Sequence, residues 1–334
     1  MSAQSEALGV LIMGCGQAAR IHSRTLRRIG GVELFYASRD YERAEDYRQR
    51  YGGKKAFGSY ADGLAESQVD IALVATPTVT HRELAVNALN AGKHVIVEKP
   101  AFMRSCDADV VSETARVASR RVFVAENYPY KPVAGLLRRR IRVGDLGDVR
   151  FVTLNATKRQ PAVGWRGDPA LSGGGALFEG GVHWISFASS LGLEVESVTA
   201  QRVGPPEGPD RSTLVVLRYA NGAVGTLAHS WELAAPFGGL RLSKVQGTLG
   251  AVTFESNGFA AVTSGRRRSV SVMAVGDPLG YRAMLTDLLH AIRTGGPPRF
   301  TLAMAQRDLR LLEQAAQCMA DIDGAQRAAD WIRR

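Results

Sequence analysis

Hydrophobic and polar positions give this chain two textures. Through residues 8 to 127, short apolar runs alternate with helical repeats. Leu8–Met13, Val32–Ala37, Ile71–Ala75, Val95–Val97 and Val122–Ala125 are nearly continuous apolar stretches, the pattern expected of strands buried on both faces. Helical patterns fill the gaps, for example Tyr41–Tyr51 and His81–Asn90. The second of these starts with Thr80-His81-Arg82-Glu83, which predicts a capping box, and stops before Gly92. Alternating strand and helix predicts an α/β domain built on a doubly wound parallel sheet, over residues 1–127.

Beyond Asn127 the pattern changes. A helix over about Val133–Val143 is followed by a turn at Gly144 and Gly147, then by short β-branched runs. Val149–Ala156, Thr213–Tyr219, Ala223–Ser230, Arg241–Gln246, Ala251–Phe254, Ala260–Thr263 and Ser269–Val275 all read as strands. Asn221-Gly222 between two of them predicts a hairpin. Strands in succession without intervening helices predict a large, mostly antiparallel open sheet in an α+β domain over 128–334. Helices over Tyr281–Thr294 and Leu302–Asp321 close the chain, and Gly204–Asp210 reads as a surface loop.

Composition narrows the picture. A length of 334 residues suits two domains, and no apolar run approaches the roughly 20 residues that span a bilayer. The first strand begins near Leu8, an arrangement that predicts no signal peptide. Cys15, Cys106 and Cys318 lie far apart, without metal or redox spacing, which predicts a reducing, cytoplasmic setting and no metal site. The net charge is +10, yet only 7 of the 42 basic residues are lysines. The arginines are scattered apart from Arg138–Arg140 and Arg266–Arg268, and no nucleic-acid motif accompanies them. The charge is read first as compositional bias and second as a preference for anionic ligands.

Four segments carry candidate chemistry. Gly14-Cys15-Gly16-Gln17-Ala18-Ala19 follows the first strand and opens a helix; its glycines allow a tight turn and close approach of backbone to a pyrophosphate. The bland alternative is a βα turn without ligand. At the end of the second strand, where an acid would bind a ribose 2′-hydroxyl, stand Ser38 and Arg39, with Asp40 read as a helix N-cap. A hydroxyl beside a guanidinium suits a 2′-phosphate, and the alternative is a solvated Arg39. Thr76-Pro77 ends the next strand, as a cofactor contact or an ordinary turn. Glu98-Lys99-Pro100 follows Val95–Val97, so its charges fall at a carboxyl strand end, where open α/β sheets bind ligands. A solvated Glu-Lys pair is the competing reading.

In the second domain, Trp165-Arg166 precedes Gly173-Gly174-Gly175-Ala176-Leu177-Phe178-Glu179-Gly180-Gly181-Val182-His183. A helix over Ala176–Leu191 would place Glu179 and His183 at i and i+4. Gly180 and Gly181 would each weaken it by about 1 kcal/mol, a cost easier to explain if something must approach the backbone closely. Histidine exchanges protons near neutral pH and a carboxylate can orient its ring; the alternative is a core histidine bonded to Glu179.

Together these segments resemble the Gfo/Idh/MocA family of nicotinamide-dependent oxidoreductases over essentially the whole chain. The resemblance rests on Gly14-x-Gly16-x-x-Ala19, Ala75-Thr76-Pro77 with His81, Ala91–Pro100, Trp165-Arg166 and Gly173–His183. It implies an N-terminal Rossmann domain, catalytic Lys99 and His183, and a cis Lys99–Pro100 bond. It also implies a homodimer or homotetramer assembled through the C-terminal sheet. Glu179 stands where the family's usual residue is aspartate, Ser186 replaces an acid, and Asn127-Tyr128 stands where many members carry arginine, so an unusual substrate pocket is expected.

The expected reaction moves a hydride between the nicotinamide and a carbinol or ketone carbon of a sugar, cyclitol or related polyhydroxylated compound. His183 exchanges the proton, Lys99 stabilises the oxygen and Glu179 orients His183. NADP(H) is the expected cofactor and NAD(H) the alternative, held by Gly14–Ala19, Ser38, Arg39, Thr76, Pro77, His81, Glu98 and Lys99. Asn127, Tyr128, Trp165, Arg166 and His183 are expected to meet the substrate. Two other classes stay open: a cofactor-binding sensor, disfavoured by the presence of both Lys99 and His183, and a hydrolase or lyase that uses transient oxidation. His22, His94, His229 and His290 show no partner in the sequence and read as structural.

Overall fold

The apolar runs of the first 127 residues form a parallel sheet. The computed structural model describes residues 7–161, 164, 168, 174–205, 208–235, 239–266, 268–273 and 275–332, with backbone alone over 323–332. Strands β1 (Leu8–Met13), β2 (Val32–Ala37), β3 (Lys55–Phe57), β4 (Ile71–Val74), β5 (His94–Glu98) and β6 (Val122–Ala125) pair in parallel in the order β3-β2-β1-β4-β5-β6. Val10–Met13, Ile71–Val74 and Val95–Val97 are sealed from solvent, which explains their unbroken apolar character. The order reverses between β1 and β4, so the carboxyl ends of these strands flank a topological switch point.

The connecting helices are α1 (Gln17–Ile29), α2 (Tyr41–Tyr51), α3 (Tyr60–Ala65), α4 (His81–Asn90) and α5 (Asp107–Val117). The expected capping box at Thr80 does not form. Thr78–Thr80 is a 3₁₀ turn, so Thr80 already has helical backbone angles, and its hydroxyl donates to the Pro77 carbonyl at 2.8 Å instead. The three-residue β3 has no periodicity to betray it.

Cα packing divides the chain into two units, Met1–Glu126 with Tyr281–Gln306, and Asn127–Gly280 with Arg307–Arg334. In the first, α8 (Tyr281–Thr294) packs along α1, and Arg121 donates to the carbonyls of Ala291 and Gly296.

The second unit contains α6 (Pro132–Arg142), β7 (Val149–Thr157), α7 (Val182–Ser189) and β8 (Val195–Arg202). Strands β9 (Ser212–Tyr219), β10 (Val224–Ser230), β11 (Leu242–Gly247), β12 (Gly250–Glu255), β13 (Ala260–Gly265) and β14 (Ser269–Val272) follow. Among the described residues these strands form an eight-stranded sheet, β14-β13-β12-β11-β7-β10-β9-β8, antiparallel except for the β7–β10 pair. Asn221-Gly222 makes the expected hairpin, with Gly222 at φ 80°. Edge strand β8 escapes a sequence reading because only Val198 and Ala200 point into the core. One sheet face carries buried Val152, Leu154, Val215, Leu217, Leu227, Val245, Val252 and Phe254, with Phe187 of α7 5.8 Å from Phe254 between ring centroids. Phe151, Leu242, Val262, Val270 and Val272 are exposed. The final helix, α9 (Leu302–Ile332), runs past the expected Asp321. Strand β14 stops before Val275, whose side chain is solvated.

Among the described residues no helix is long and apolar enough to cross a membrane, and no three His, Cys, Asp or Glu side chains are grouped to hold a metal ion.

Candidate functional site

In the first unit the candidate residues gather along the carboxyl edge of the parallel sheet. Gly14 leaves β1 at φ 97°, and a Cβ there would lie 2.7 Å from the Ala75 carbonyl oxygen, so only glycine fits between β1 and β4. Gly16 differs: a Cβ would meet nothing within 4 Å, so the space beside the turn is open. Gly16 caps α1 with no side-chain hydrogen bond, and no acid occupies the first turn. The N–H groups around Gln17 and Ala18 therefore face an open edge with the positive end of the helix dipole behind them, which suits a pyrophosphate. Ala19 is fully buried and lets the helix close onto the sheet, while Tyr47 donates to the Gly16 carbonyl at 2.9 Å. Burial pushes the Cys15 thiol up to about 11, so it is no nucleophile at neutral pH.

At the end of β2, the Ser38 hydroxyl accepts the Asp40 N–H at 3.2 Å, and Asp40 accepts from the Arg43 N–H as the N-cap of α2. The acid of this turn is thus engaged with backbone, and Arg39 projects into solvent. After β4, Thr76 is half-buried with its hydroxyl 2.7 Å from that of Thr80. His81 lies beneath this turn, 1% exposed. Its Nε2 is 2.9 Å from the Thr76 carbonyl, and its Nδ1 is 3.0 Å from that of Pro100 and 3.2 Å from that of Ala101. Burial pushes its pKa down against the pull of those carbonyls and of Glu98. His81 thus ties the loop after β4 to the loop after β5 from below. Between them, half-buried Lys99 precedes a cis peptide to Pro100.

In the second unit, Leu177–Gly181 is a π-helical turn rather than the expected α-helix, and α7 begins only at Val182. Gly180 explains part of this. A Cβ there would lie 3.1 Å from Trp231 Nε1 and 3.2 Å from His229 Nε2, so it is protein side chains that press on this backbone. Asp210 anchors the start of the turn, its carbonyl accepting from Ala176 N–H and its carboxylate from Leu177 N–H, both at 2.8 Å. Burial raises the Asp210 carboxyl pKa despite those bonds. Glu179 is buried on the turn, and His183 is half-buried one turn later. The His183 ring stacks on Tyr128 at 4.4 Å with 12° between planes. Buried Lys131 places its ammonium 3.8 Å from the Tyr128 ring centroid. The Asn127 amide donates to the Leu279 carbonyl at 2.7 Å. Trp165 and Arg166 lie outside the described residues.

Sequence reading set aside two histidines that the structure puts beside candidate residues. His22 is sealed within the sheet–helix interface with Nε2 2.5 Å from Glu98 Oε1. Its signal was a polar residue on the buried Ala19–Leu26 face of α1. His229 is buried near Glu179 and His183, and nothing in β10 announced it. Burial first, then the positive charge of Lys158, drives its pKa to about 3 against the attraction of Glu179.

Residues 8–126 match the oxidoreductase-family model described as a GFO/IDH/MocA NAD-binding Rossmann fold, and residues 136–253 match the GFO/IDH/MocA C-terminal domain. The chain is 27% identical over 232 residues to the 4-carboxy-2-hydroxymuconate-6-semialdehyde dehydrogenase of Sphingobium sp., covering 69% of this chain and 74% of that protein. It is 24% identical over 322 residues to the levoglucosan dehydrogenase of Pseudarthrobacter phenanthrenivorans, covering 84% and 78%. Among solved structures, GenD2 from gentamicin A biosynthesis in complex with NAD superposes with a TM-score of 0.83 at 26% identity, over 96% of each chain.

The two turn glycines should respond differently to a methyl group. Gly14→Ala meets both positive φ and the Ala75 carbonyl and should destabilise the protein by about 2–4 kcal/mol in chemical denaturation. Gly16→Ala should stay within about 1 kcal/mol of wild type. Equal stabilities would contradict the geometry.

Burial lowers the His229 pKa from the ordinary 6.5 to about 3 on folding, so the folded state binds fewer protons between those values. Stability should therefore be complete above pH 6.5 and decline as pH falls toward 3, and His229→Gln should flatten that slope. An unchanged slope in the variant would reject the assignment.

Proposed function

The chain belongs to the Gfo/Idh/MocA family of oxidoreductases, and we propose that it is an NADP(H)-preferring dehydrogenase of polyhydroxylated substrates. The reaction is hydride transfer between the nicotinamide and a carbinol carbon of a sugar, cyclitol or related compound. One observation carries the reading. Gly14–Ala19, Ser38–Arg39, Thr76–Pro77 and Glu98–Lys99 all lie at the carboxyl ends of β1, β2, β4 and β5, around the point where strand order reverses.

The residues present fit a dinucleotide. The Gly14–Ala19 backbone would hold the pyrophosphate on the uncapped end of α1, in the open space beside Gly16. Ser38 and Arg39 would take the 2′-phosphate; no acid competes, because Asp40 is occupied as a cap. Thr76 and Pro77 would border the nicotinamide half, with His81 holding their loop from beneath. Glu98 would support Lys99. When bound, the nicotinamide supplies the acceptor and donor of the hydride.

The proton chemistry falls to side chains. His183 would remove the hydroxyl proton in the oxidative direction and return it in the other. The Lys99 ammonium would stabilise the charge that develops on the same oxygen. Glu179, buried on the π-turn, would orient His183, and Tyr128 would hold the face of its ring. Asn127, Tyr128, Trp165, Arg166 and His183 are the proposed substrate contacts, and the Asn127 amide also donates to the Leu279 carbonyl. A relative named for levoglucosan, a polyhydroxylated compound, supports the substrate class.

Residues 1–127 are proposed as the dinucleotide-binding domain and 128–334 as the domain for substrate and self-assembly. The exposed Phe151, Leu242, Val262, Val270 and Val272 support a homodimer or homotetramer through the second sheet, and the dispersed Cys15, Cys106 and Cys318 support a cytoplasmic setting.

A screen of polyols, sugars and sugar phosphates for NADP+ reduction tests the reading. With a responding substrate, Lys99→Ala and His183→Ala should each lower kcat by at least about 100-fold while leaving NADPH affinity within about threefold. Arg39→Ala should lower kcat/KM for NADP+ by about tenfold or more and leave that for NAD+ nearly unchanged. Near-normal turnover in the first two variants, or a wild-type preference for NAD+, would overturn the corresponding role.

A further inference from the structure

Lys99 stands where strand pairing stops. On one side of β5 the register with β4 ends at Val74–Val97, and on the other the register with β6 ends at Glu98–Ala125. The Lys99 N–H therefore lies past the last ladder position. Its acceptor is a side chain: Glu98 Oε2 takes it at 3.0 Å. The Glu98 carboxylate is itself buried, and its other oxygen, Oε1, lies 2.5 Å from His22 Nε2.

We propose that His22 is a positioning residue for Lys99, acting through Glu98. The inference rests on the role given to Lys99 above, and the following observations support it.

His22 is fully buried on α1, between Ala19 and Leu26, where an aliphatic side chain would fill the space without desolvating an imidazole. Among the described residues its Nδ1 has no hydrogen-bond partner, and its ring edge meets Tyr281, with centroids 6.1 Å apart. A carboxylate only accepts, so the ring nitrogen that faces it, Nε2, is the donor to Glu98. Burial alone would push the Glu98 carboxyl up, but His22, the Lys99 charge and the Lys99 N–H outweigh it, and the group stays a carboxylate. A carboxylate with one oxygen on an imidazole N–H and the other on a backbone N–H has little freedom to turn. On the far side of Lys99, the Pro100 and Ala101 carbonyls face His81. Lys99 is thus bracketed by two buried imidazoles, and His22 belongs to the same helix whose N-terminus is the proposed pyrophosphate site.

Amide hydrogen exchange at Lys99 in the ligand-free protein tests this directly, without any substrate. His22→Leu keeps the packing and deletes the donor. It should speed Lys99 amide exchange at least tenfold while Val95 and Val97 exchange as in wild type. His22→Gln, whose amide nitrogen can reach the Nε2 position, should return Lys99 to within threefold of wild type. Should His22→Leu not fold, His22→Asn, polar but one bond too short, takes its place with the same expectation. Wild-type exchange at Lys99 in the folded variant, or equal acceleration along all of β5, would overturn the proposal.

Turnover of the screened substrate separates this proposal from the functional reading it rests on. With Lys99→Ala inactive, His22→Leu should lower kcat at least tenfold with the NADP+ KM within threefold, and His22→Gln should recover most of the loss. Full kcat in His22→Leu then rejects the inference, whereas full kcat in Lys99→Ala rejects the role of Lys99 itself.

Discussion

The first unit depends on a buried carboxylate that must stay ionised. Glu98 ends a strand sealed from solvent, where a carboxylate is costly unless every oxygen is engaged. His22 and the Lys99 N–H meet that demand from two directions, one from a helix and one from the chain itself. The same bonds determine where the chain goes after β5, and so where the Lys99 side chain starts. His81 imposes a matching constraint from the other side by joining the loops that follow β4 and β5. The candidate lysine is flanked on both sides by buried polar groups.

The second unit solves a different problem. A glycine-rich segment is a poor α-helix, and here it winds as a π-turn with Trp231 and His229 close against Gly180. Asp210 holds its start and α7 continues it. The result is a buried Glu179 followed by a His183 whose ring lies flat on Tyr128, with Lys131 against that same tyrosine. His229, held neutral by burial and by Lys158, adds a polar ring near Glu179 without adding positive charge at neutral pH.

Much of this was legible in the sequence, for identifiable reasons. Strands β1, β2 and β6 match their apolar runs because both faces of each are buried, and the turn after β1 announces itself because only glycine tolerates the geometry at Gly14. Patterning failed where it carries no information. Strand β8 buries only alternate small residues, β3 is too short to have a period, and Thr80 lost its capping role to a preceding 3₁₀ turn. The glycines at 180 and 181 signal a close approach, but spacing cannot say that His229 and Trp231 make it at Gly180, and Leu177 of the same turn at Gly181. His22 was passed over because its partner lies 76 residues away, a pairing only the fold creates.

Hydride transfer, and not mere retention of a nucleotide, is the proposed work of these residues. The most direct measurement supplies NADPH deuterated at the transferable C4 position together with the ketone form of a responding sugar or cyclitol, and follows the label by mass spectrometry. Hydride transfer should leave one deuterium bound to carbon in the alcohol product, with matching loss from the cofactor. Product without label, or cofactor that keeps its deuterium while substrate is converted, would contradict it.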